Sequence, residues 1–321
     1  MHSFTELAKI FEDRFTSTLP FAQSPVTLYD PCRYLLQLGG KRIRPVLCLM
    51  ASELFDEINE DAWHAAIGIE LFHNFTLIHD DIMDKAPLRR GQATIHARYG
   101  LTAGILCGDV MCTYAYDQLA QIKRSLQPVL QVFNKTGIEV SEGQQMDMDF
   151  ESRNDVQIDE YIHMITLKTS VLLACSLKMG AITGGALGDN ANKLYAFGVN
   201  MGIAFQLQDD YLDAFGDTGK LGKQNGGDII TNKKTYLLLK ALENADAAQR
   251  KAIEALLKTG TDSKVADMLS IFMATGADAA CLLAVADYSK KAFACLEDVA
   301  IPSKRKQPLF DLANYLLIRD K

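Results

Sequence analysis

The chain has 321 residues, 48% of them apolar and 23% charged, with a formal net charge of -7. This is the composition of a soluble globular protein, and its acidic balance excludes a general nucleic-acid binder while leaving room for local basic pockets that take anionic substrates. The seven cysteines include no CxxC pair, and an odd count in a chain of this length points away from a disulfide framework and toward a reducing cytoplasm.

Helical periodicity dominates, and the β-branched alternation of strands is scarce. The N-terminal stretch is amphipathic and carries acids, with no apolar h-region of a signal peptide. No run approaches the ~18 apolar residues of a membrane span. Helices are expected over 4–20, 27–38, 42–56 and 60–85, with Gly39-Gly40 and Ala86-Pro87 as breaks. A short helix over 92–98 leads to longer ones over 101–121, 126–149, 156–184 and 189–214; Gly184-Gly185 and Gly188 part the last two. Gly216 to Gly227 form a Gly-rich, Lys-bearing loop, and helices over 232–243, 247–259, 261–274, 276–299 and 306–318 complete the chain. No linker or low-complexity segment interrupts it, so residues 1–321 are expected to form a single all-α domain.

Two segments echo each other: Leu77-Ile78-His79-Asp80-Asp81-Ile82-Met83-Asp84 and Gln206-Leu207-Gln208-Asp209-Asp210-Tyr211-Leu212-Asp213. At ~100° per residue, positions four apart share a helix face, which pairs Asp80 with Asp84 and Asp209 with Asp213. Like charges so placed repel, and carboxylates set into apolar helices need partners. Hard divalent cations suit them: Mg²⁺ takes oxygen ligands from one or two carboxylates and shares the rest with water and substrate phosphates. Two such helices facing each other would clamp a diphosphate through several Mg²⁺ ions. A solvated acidic face is the other reading of either motif taken alone.

Basic groups follow each motif. Lys41, Arg42 and Arg44 come just after Gly39-Gly40; Arg89 and Arg90 follow the first motif; Lys220, Lys223, Lys233 and Lys234 follow the second; Lys168-Thr169 lies inside a helix. Arg forks grip phosphate oxygens and Lys acts as a point charge, so the placement suits two anionic groups held side by side. His73 and His79 share the helix of the first motif, His79 as a candidate support for Asp80, but their spacing of six does not suggest a zinc pair.

The chain resembles the trans-isoprenyl diphosphate synthase family, also called polyprenyl synthetases, over nearly its whole length. The carriers are GGKRIRP at 39–45, LIHDDIMD at 77–84 with LRRG at 88–91, Gly143-Gln144 with Asp147, Lys168-Thr169, FQLQDDYLD at 205–213, LGK at 221–223, Gly227-Asp228 and NKKT at 232–235. The resemblance implies a single large helical bundle of the isoprenoid synthase type with a central apolar cavity, commonly a homodimer. It implies a Mg²⁺-dependent prenyltransferase that condenses isopentenyl diphosphate head to tail with an allylic diphosphate. About three Mg²⁺ would be held by Asp80, Asp84 and Asp209, with Asp81 and Asp213 close by or acting through water. Arg89, Lys168, Lys223 and Lys233 would hold the allylic diphosphate. Gly40, Lys41, Arg44, His73 and Arg90 would hold the isopentenyl diphosphate, with Arg319 and Lys321 closing over that site. Thr169 and Gln206 would line the reacting carbons. The resemblance further implies that the allylic C–O bond would ionise, with metal as Lewis acid, and that the isopentenyl double bond would attack the cation in a pocket that excludes water.

Phe75 lies five positions before Asp80, roughly 7.5 Å along a helix, with Thr76 next to it. The resemblance makes Phe75, with Thr76, a floor for the growing chain; simple core packing is the alternative. DDIMD lacks the two extra residues of bacterial-type farnesyl synthases, which leans toward a C20 product, geranylgeranyl diphosphate, ahead of C15, farnesyl diphosphate. Three rivals are weighed. A class I terpene cyclase would share DDxxD but not GGKRIRP or DDYLD. A metal-storage or di-iron bundle needs Glu-x-x-His pairs, and the His placements here do not supply the set. A non-catalytic partner subunit should have lost members of the acidic motifs, and all are present.

Overall fold

The computed structural model describes residues 1–18, 21, 23–216, 226–260 and 263–317. Lys220, Lys223, Arg319 and Lys321 lie outside the described residues. Helices make up 78% of the described residues, and the chain divides into two compact units, residues 1–135 with 175–194 and 300–309, and residues 136–174 with 195–299 and 310–321.

The first unit holds α1 (Phe4–Thr18), α2 (Val26–Gln37), α3 (Ile43–Glu53), α4 (Glu60–Met83), α5 (Ile95–Tyr99) and α6 (Leu101–Ala120). Helix α1 buries Leu7, Phe11 and Phe15 at every fourth position, the stripe of a helix with one face on a core. Helix α4 is the central element. Asn59 caps it by accepting from Ala62 N at 3.0 Å, Glu60 and Asp61 sit at its positive end, and from Asp61 to Phe72 every residue except His64 is buried. Each fully buried Ile, Leu or Phe there contributes roughly 1.5–3 kcal/mol.

Between α4 and α5 the expected helix over 92–98 starts only at Ile95, because 88–93 form a hairpin. Leu88–Arg89 pairs antiparallel with Gln92–Ala93, and Arg90 and Gly91 both take positive φ, 53° and 75°. Two positive φ values in a two-residue loop give the turn that matches strand twist, and Gly91 takes it at no steric cost. Tyr34 Oη, donating to Ala93 O at 2.8 Å, ties the hairpin to α2.

The second unit takes the C-terminal part of α7 (Leu126–Ser152), then α8 (Ile158–Ile165), a π-helical turn over Thr166–Ser170, the start of α9 (Val171–Thr183) and most of α10 (Asn190–Phe215). Helices Tyr236–Asn244, Ala247–Leu256, Lys264–Ala274 and Ala277–Glu297 follow. Phe150, Tyr161, Leu207, Leu237, Ile253 and Phe272 are among its core. The helix expected from 232 starts at Tyr236, since Asn232 has φ 59° and Thr235 is an extended N-cap. The expectation of no run long and apolar enough to span a membrane needs one correction: Ile158–Thr183, 26 residues, passes by length and composition. Its most apolar window is 72% buried inside the protein, which is how a core helix reads.

Candidate active site

Both acidic motifs occupy the last turns of long helices. Asp80 and Asp81 lie in the final turn of α4, with Asp84 its C-cap; Asp209 and Asp213 lie in the final two turns of α10. The C-terminal end of a helix carries a partial negative charge, so each carboxylate there is disfavoured by roughly 0.3–1 kcal/mol unless a cation offsets it. This end-placement strengthens the demand for positive partners that the sequence raised.

In the first unit, Arg89 meets part of that demand. Its Nε and Nη2 donate to the two oxygens of Asp81, each at 2.8 Å, and Nη2 lies 3.8 Å from Asp80 Oδ2. Asp81 is buried. Burial of Arg89 works against its charge, but the Asp81 bond and the three motif carboxylates leave its pKa raised. Asp81 therefore faces Arg89, and Asp80 and Asp84 form the other side of the motif.

The basic residues after Gly39-Gly40 divide into two kinds. Arg42, left-handed at φ 51° and N-cap of α3, is buried and structural: Nε donates to Glu12 Oε2 and Nη1 to Glu70 Oε1, both at 2.6 Å. Arg44 instead sends Nη1 to His73 Nε2 at 3.1 Å, and its buried Nε has no hydrogen-bond partner. Burial lowers the Arg44 pKa to about 10, so it stays charged at neutral pH. Burial first, then the charges of Arg44, Arg90, Arg89 and Arg42, hold His73 well below the usual imidazole range, so a neutral ring accepts the Arg44 bond. A methyl group at Gly40 would stand 3.1–3.4 Å from the Arg90 guanidinium. The structure thus brings Gly40, Arg44, His73 and Arg90 together, with Lys41 exposed beside them. An orphaned buried donor amid mutually repelling cations is what an anion would relieve.

Two further readings on α4 concern His79 and Phe75. His79 is not turned to Asp80: its Nε2 donates to Ile105 O of α6 at 3.2 Å. Phe75 stacks edge-on between Phe72 (5.4 Å between centroids) and His79 (4.8 Å), and Thr76 Oγ1 donates to His73 O at 2.8 Å.

In the second unit the π-helical turn carries Lys168 and Thr169. Such turns insert one residue into a helix and redirect side chains, often at functional sites. Helix α7 supports it at closest range: a Cβ on Gly143 would lie 2.4 Å from Lys168 N, so only glycine allows the approach. One turn on, Asp147 forms an ion pair with Lys168. Thr169 Oγ1 donates to Gln206 Oε1 at 3.2 Å, and Gln206 Nε2 to Asp210 Oδ1 at 3.2 Å.

Asp213 Oδ2 accepts from Asp228 N at 3.0 Å. Burial pushes the Asp228 carboxyl up to about 6; the charge of Asp213 adds to this, Lys233 opposes it, and Asp209 and Asp147 add further. Four carboxylates within mutual influence, one of them with its proton affinity raised, fit a hard cation. Among the described residues no three His, Cys, Asp or Glu side chains converge on one metal position. Mg²⁺ completes its shell with water and phosphate oxygens, so one or two of these carboxylates would be enough to hold it.

Sequence reasoning missed Asp210 and Tyr161 and undervalued Asp147 and Asp228. Burial pushes Asp210 up to about 7, against the bond from the Tyr161 hydroxyl. No local spacing signals these roles, because Asp147 and Lys168 meet across 21 positions and Tyr161 and Asp210 across 49.

The sequence profile of the family described as polyprenyl synthetase matches residues 25–273. A short chain isoprenyl diphosphate synthase of Methanothermobacter thermautotrophicus is 38% identical over 299 residues, covering 92% of each chain. A geranylfarnesyl diphosphate synthase of Natronomonas pharaonis is 36% identical over 289 residues, covering 81% of this chain and 84% of its own. The crystal structure of a geranylgeranyl pyrophosphate synthase superposes with a TM-score of 0.95 at 43% identity, covering both chains in full. The fold is the all-α isoprenoid synthase fold, and the chain belongs to the polyprenyl synthetase family as a prenyltransferase.

Proposed function

We propose that this prenyltransferase makes geranylgeranyl diphosphate by successive Mg²⁺-dependent additions of isopentenyl diphosphate to an allylic diphosphate. The observation that carries the reading is the pairing of a carboxylate set with a cation set in each unit: Asp80, Asp81 and Asp84 with Arg89 in the first, Asp147, Asp209, Asp213 and Asp228 with Lys168 and Lys233 in the second. Asp80, Asp84, Asp209 and Asp213 are assigned to Mg²⁺, which when bound supplies Lewis-acid neutralisation of the diphosphate.

Arg89, Lys168 and Lys233, with Lys223, grip the allylic diphosphate as its C–O bond breaks and the electron pair leaves with the diphosphate. Gly40, Lys41, Arg44, His73 and Arg90 hold the isopentenyl diphosphate so that the pair of its terminal double bond forms the new C–C bond. Neutral His73 accepts the Arg44 bond and adds no charge near the substrate. Thr169 Oγ1 and Gln206 Oε1 offer lone pairs to the allylic cation. The proton lost from isopentenyl C2 goes to the released diphosphate.

The C20 length is supported by Phe75 one turn and a half above Asp80, by the compact DDIMD, and by the likeness to a geranylgeranyl pyrophosphate synthase. We also propose a homodimer, supported by Leu101, Ile105, Leu106 and Tyr116, apolar side chains that α6 leaves exposed; sedimentation at micromolar protein reads the mass. The test of activity is incubation with isopentenyl diphosphate and, separately, C5, C10 and C15 allylic primers, with and without Mg²⁺. A Mg²⁺-dependent C20 product is expected. A halt at C15 makes the enzyme a farnesyl diphosphate synthase, and no condensation with any primer removes the reading.

A further inference from the structure

We infer that Asp210 is a positioning residue that fixes which end of the Gln206 side-chain amide faces the reacting carbons. It stands inside the second acidic motif, next to Asp209, yet it is turned the other way. Asp210 is only 4% exposed, and both of its oxygens are occupied by donors from the protein. Oδ2 accepts from the Tyr161 hydroxyl and from Tyr236 N at 3.4 Å, and Oδ1 accepts from Gln206 Nε2 at 3.2 Å.

A glutamine amide has two ends of nearly equal shape and opposite polarity, one accepting and one donating, so its partners alone decide the orientation. Gln206 and Asp210 are four apart on α10 and so lie on one face. Facing Oδ1, a group that accepts, Gln206 must present its NH₂ end. The carbonyl end then turns to Thr169, whose hydroxyl donates to Oε1 at 3.2 Å. That bond uses one lone pair and leaves the other. Were the amide reversed, Thr169 would meet an N–H and the site would present a donor dipole to a developing cation. The sign of the Gln206 contribution is thus set by a buried carboxylate whose two oxygens are taken up by donors from the protein. Tyr161 and the first N–H of the Tyr236–Asn244 helix hold that carboxylate still.

The inference rests on the condensation reading for its kinetic consequence but not for its geometry, and the test separates the two. Asp210→Asn keeps the shape of the side chain but can place an N–H against Gln206, which reverses the amide. Full-length Asp210→Asn is expected to lose about a hundredfold in kcat, the scale of a misdirected preorganised dipole, with KM for both diphosphates and the Mg²⁺ half-saturation within about twofold of wild type. The exchanged pair, Gln206→Glu with Asp210→Asn, restores an acceptor toward Thr169 and keeps the net charge. It is expected to run faster than Asp210→Asn alone, a coupling that independent damage would not give. Independently of turnover, the ¹⁵N-labelled Gln206 side-chain amide protons should exchange slowly in wild type and faster in Asp210→Asn.

A kcat within about twofold of wild type, a Mg²⁺ half-saturation that rises in step with the loss, a double variant no faster than the single, or equal amide exchange in both proteins would each overturn the inference. A wild-type chain that condenses nothing would instead sink the condensation reading, and amide exchange alone would then decide the orientation.

Discussion

Arg89 grips both oxygens of Asp81 at 2.8 Å while standing 3.8 Å from Asp80. The middle carboxylate of the first motif is therefore engaged by an arginine, while the proposed function assigns its neighbours Asp80 and Asp84 to Mg²⁺. Asp80→Asn and Asp81→Asn remove the same charge from adjacent positions. Asp80→Asn is expected to raise the Mg²⁺ half-saturation by more than about tenfold, whereas Asp81→Asn should shift it by less than about threefold and act on the KM of the allylic diphosphate through a loosened Arg89. Equal Mg²⁺ shifts in the two variants would make Asp81 a ligand.

Gly143→Ala probes the close approach of α7 to the π-helical turn. The added Cβ would start 2.4 Å from Lys168 N and 2.8 Å from Lys168 Cα, against backbone that cannot rotate away. Overpacking of this kind costs about 1–3 kcal/mol. Lower thermal stability is expected together with a fall in kcat, because the turn that carries Lys168 and Thr169 must shift. Calorimetry and steady-state turnover measure both, and an unchanged pair of values would mean that α7 recedes without cost.

How much of this was written locally in the chain varies with the range of the interactions. The two acidic motifs, the Gly39-Gly40 break and nearly every long helix follow from periodicity and punctuation within a few residues of each other, and the described helices begin and end close to where those signals lie. The hairpin at 88–93 hid because its turn is Arg90-Gly91, without the Asn or Asp that marks such loops. The π-helical turn was invisible because nothing in Thr166–Ser170 distinguishes a π-helical turn from an α-helical one; it is α7, through Gly143, that crowds its backbone. The division of labour among the cations was hidden too. Arg42 and Arg44 look alike in sequence, and only Glu12 and Glu70, brought from α1 and α4, make the first structural.

Phe75→Ala tests the floor for the growing product. Phe75 is wedged between Phe72 and His79 with centroid distances of 5.4 and 4.8 Å, so removing its ring opens a gap on α4 that neighbouring rings cannot close without leaving their own edge-on contacts. Products longer than C20 are expected from the variant when chromatographed after dephosphorylation. The same product distribution as wild type would remove Phe75 as the floor and leave it as core packing.

His73 makes a pH dependence predictable in sign. Burial and four nearby guanidinium groups hold its pKa well below the ordinary value of 6.5. In the unfolded chain the imidazole takes a proton near that value; in the folded chain it does not. Below about pH 6.5 the unfolded state binds more protons, so stability falls as pH falls, by up to about 1.4 kcal/mol per pH unit, until the folded pKa is reached. Above that window the contribution is flat. His73→Gln cannot be protonated and should lose this part of the acid slope, while the carboxylates shared by both proteins cancel in the difference. Urea unfolding at pH 7.5, 6.0 and 5.0, without diphosphates, is the measurement. The stability of His73→Gln relative to wild type should rise between pH 7.5 and pH 5.0, and a constant difference would mean that His73 takes its proton in the folded chain as readily as in the unfolded one.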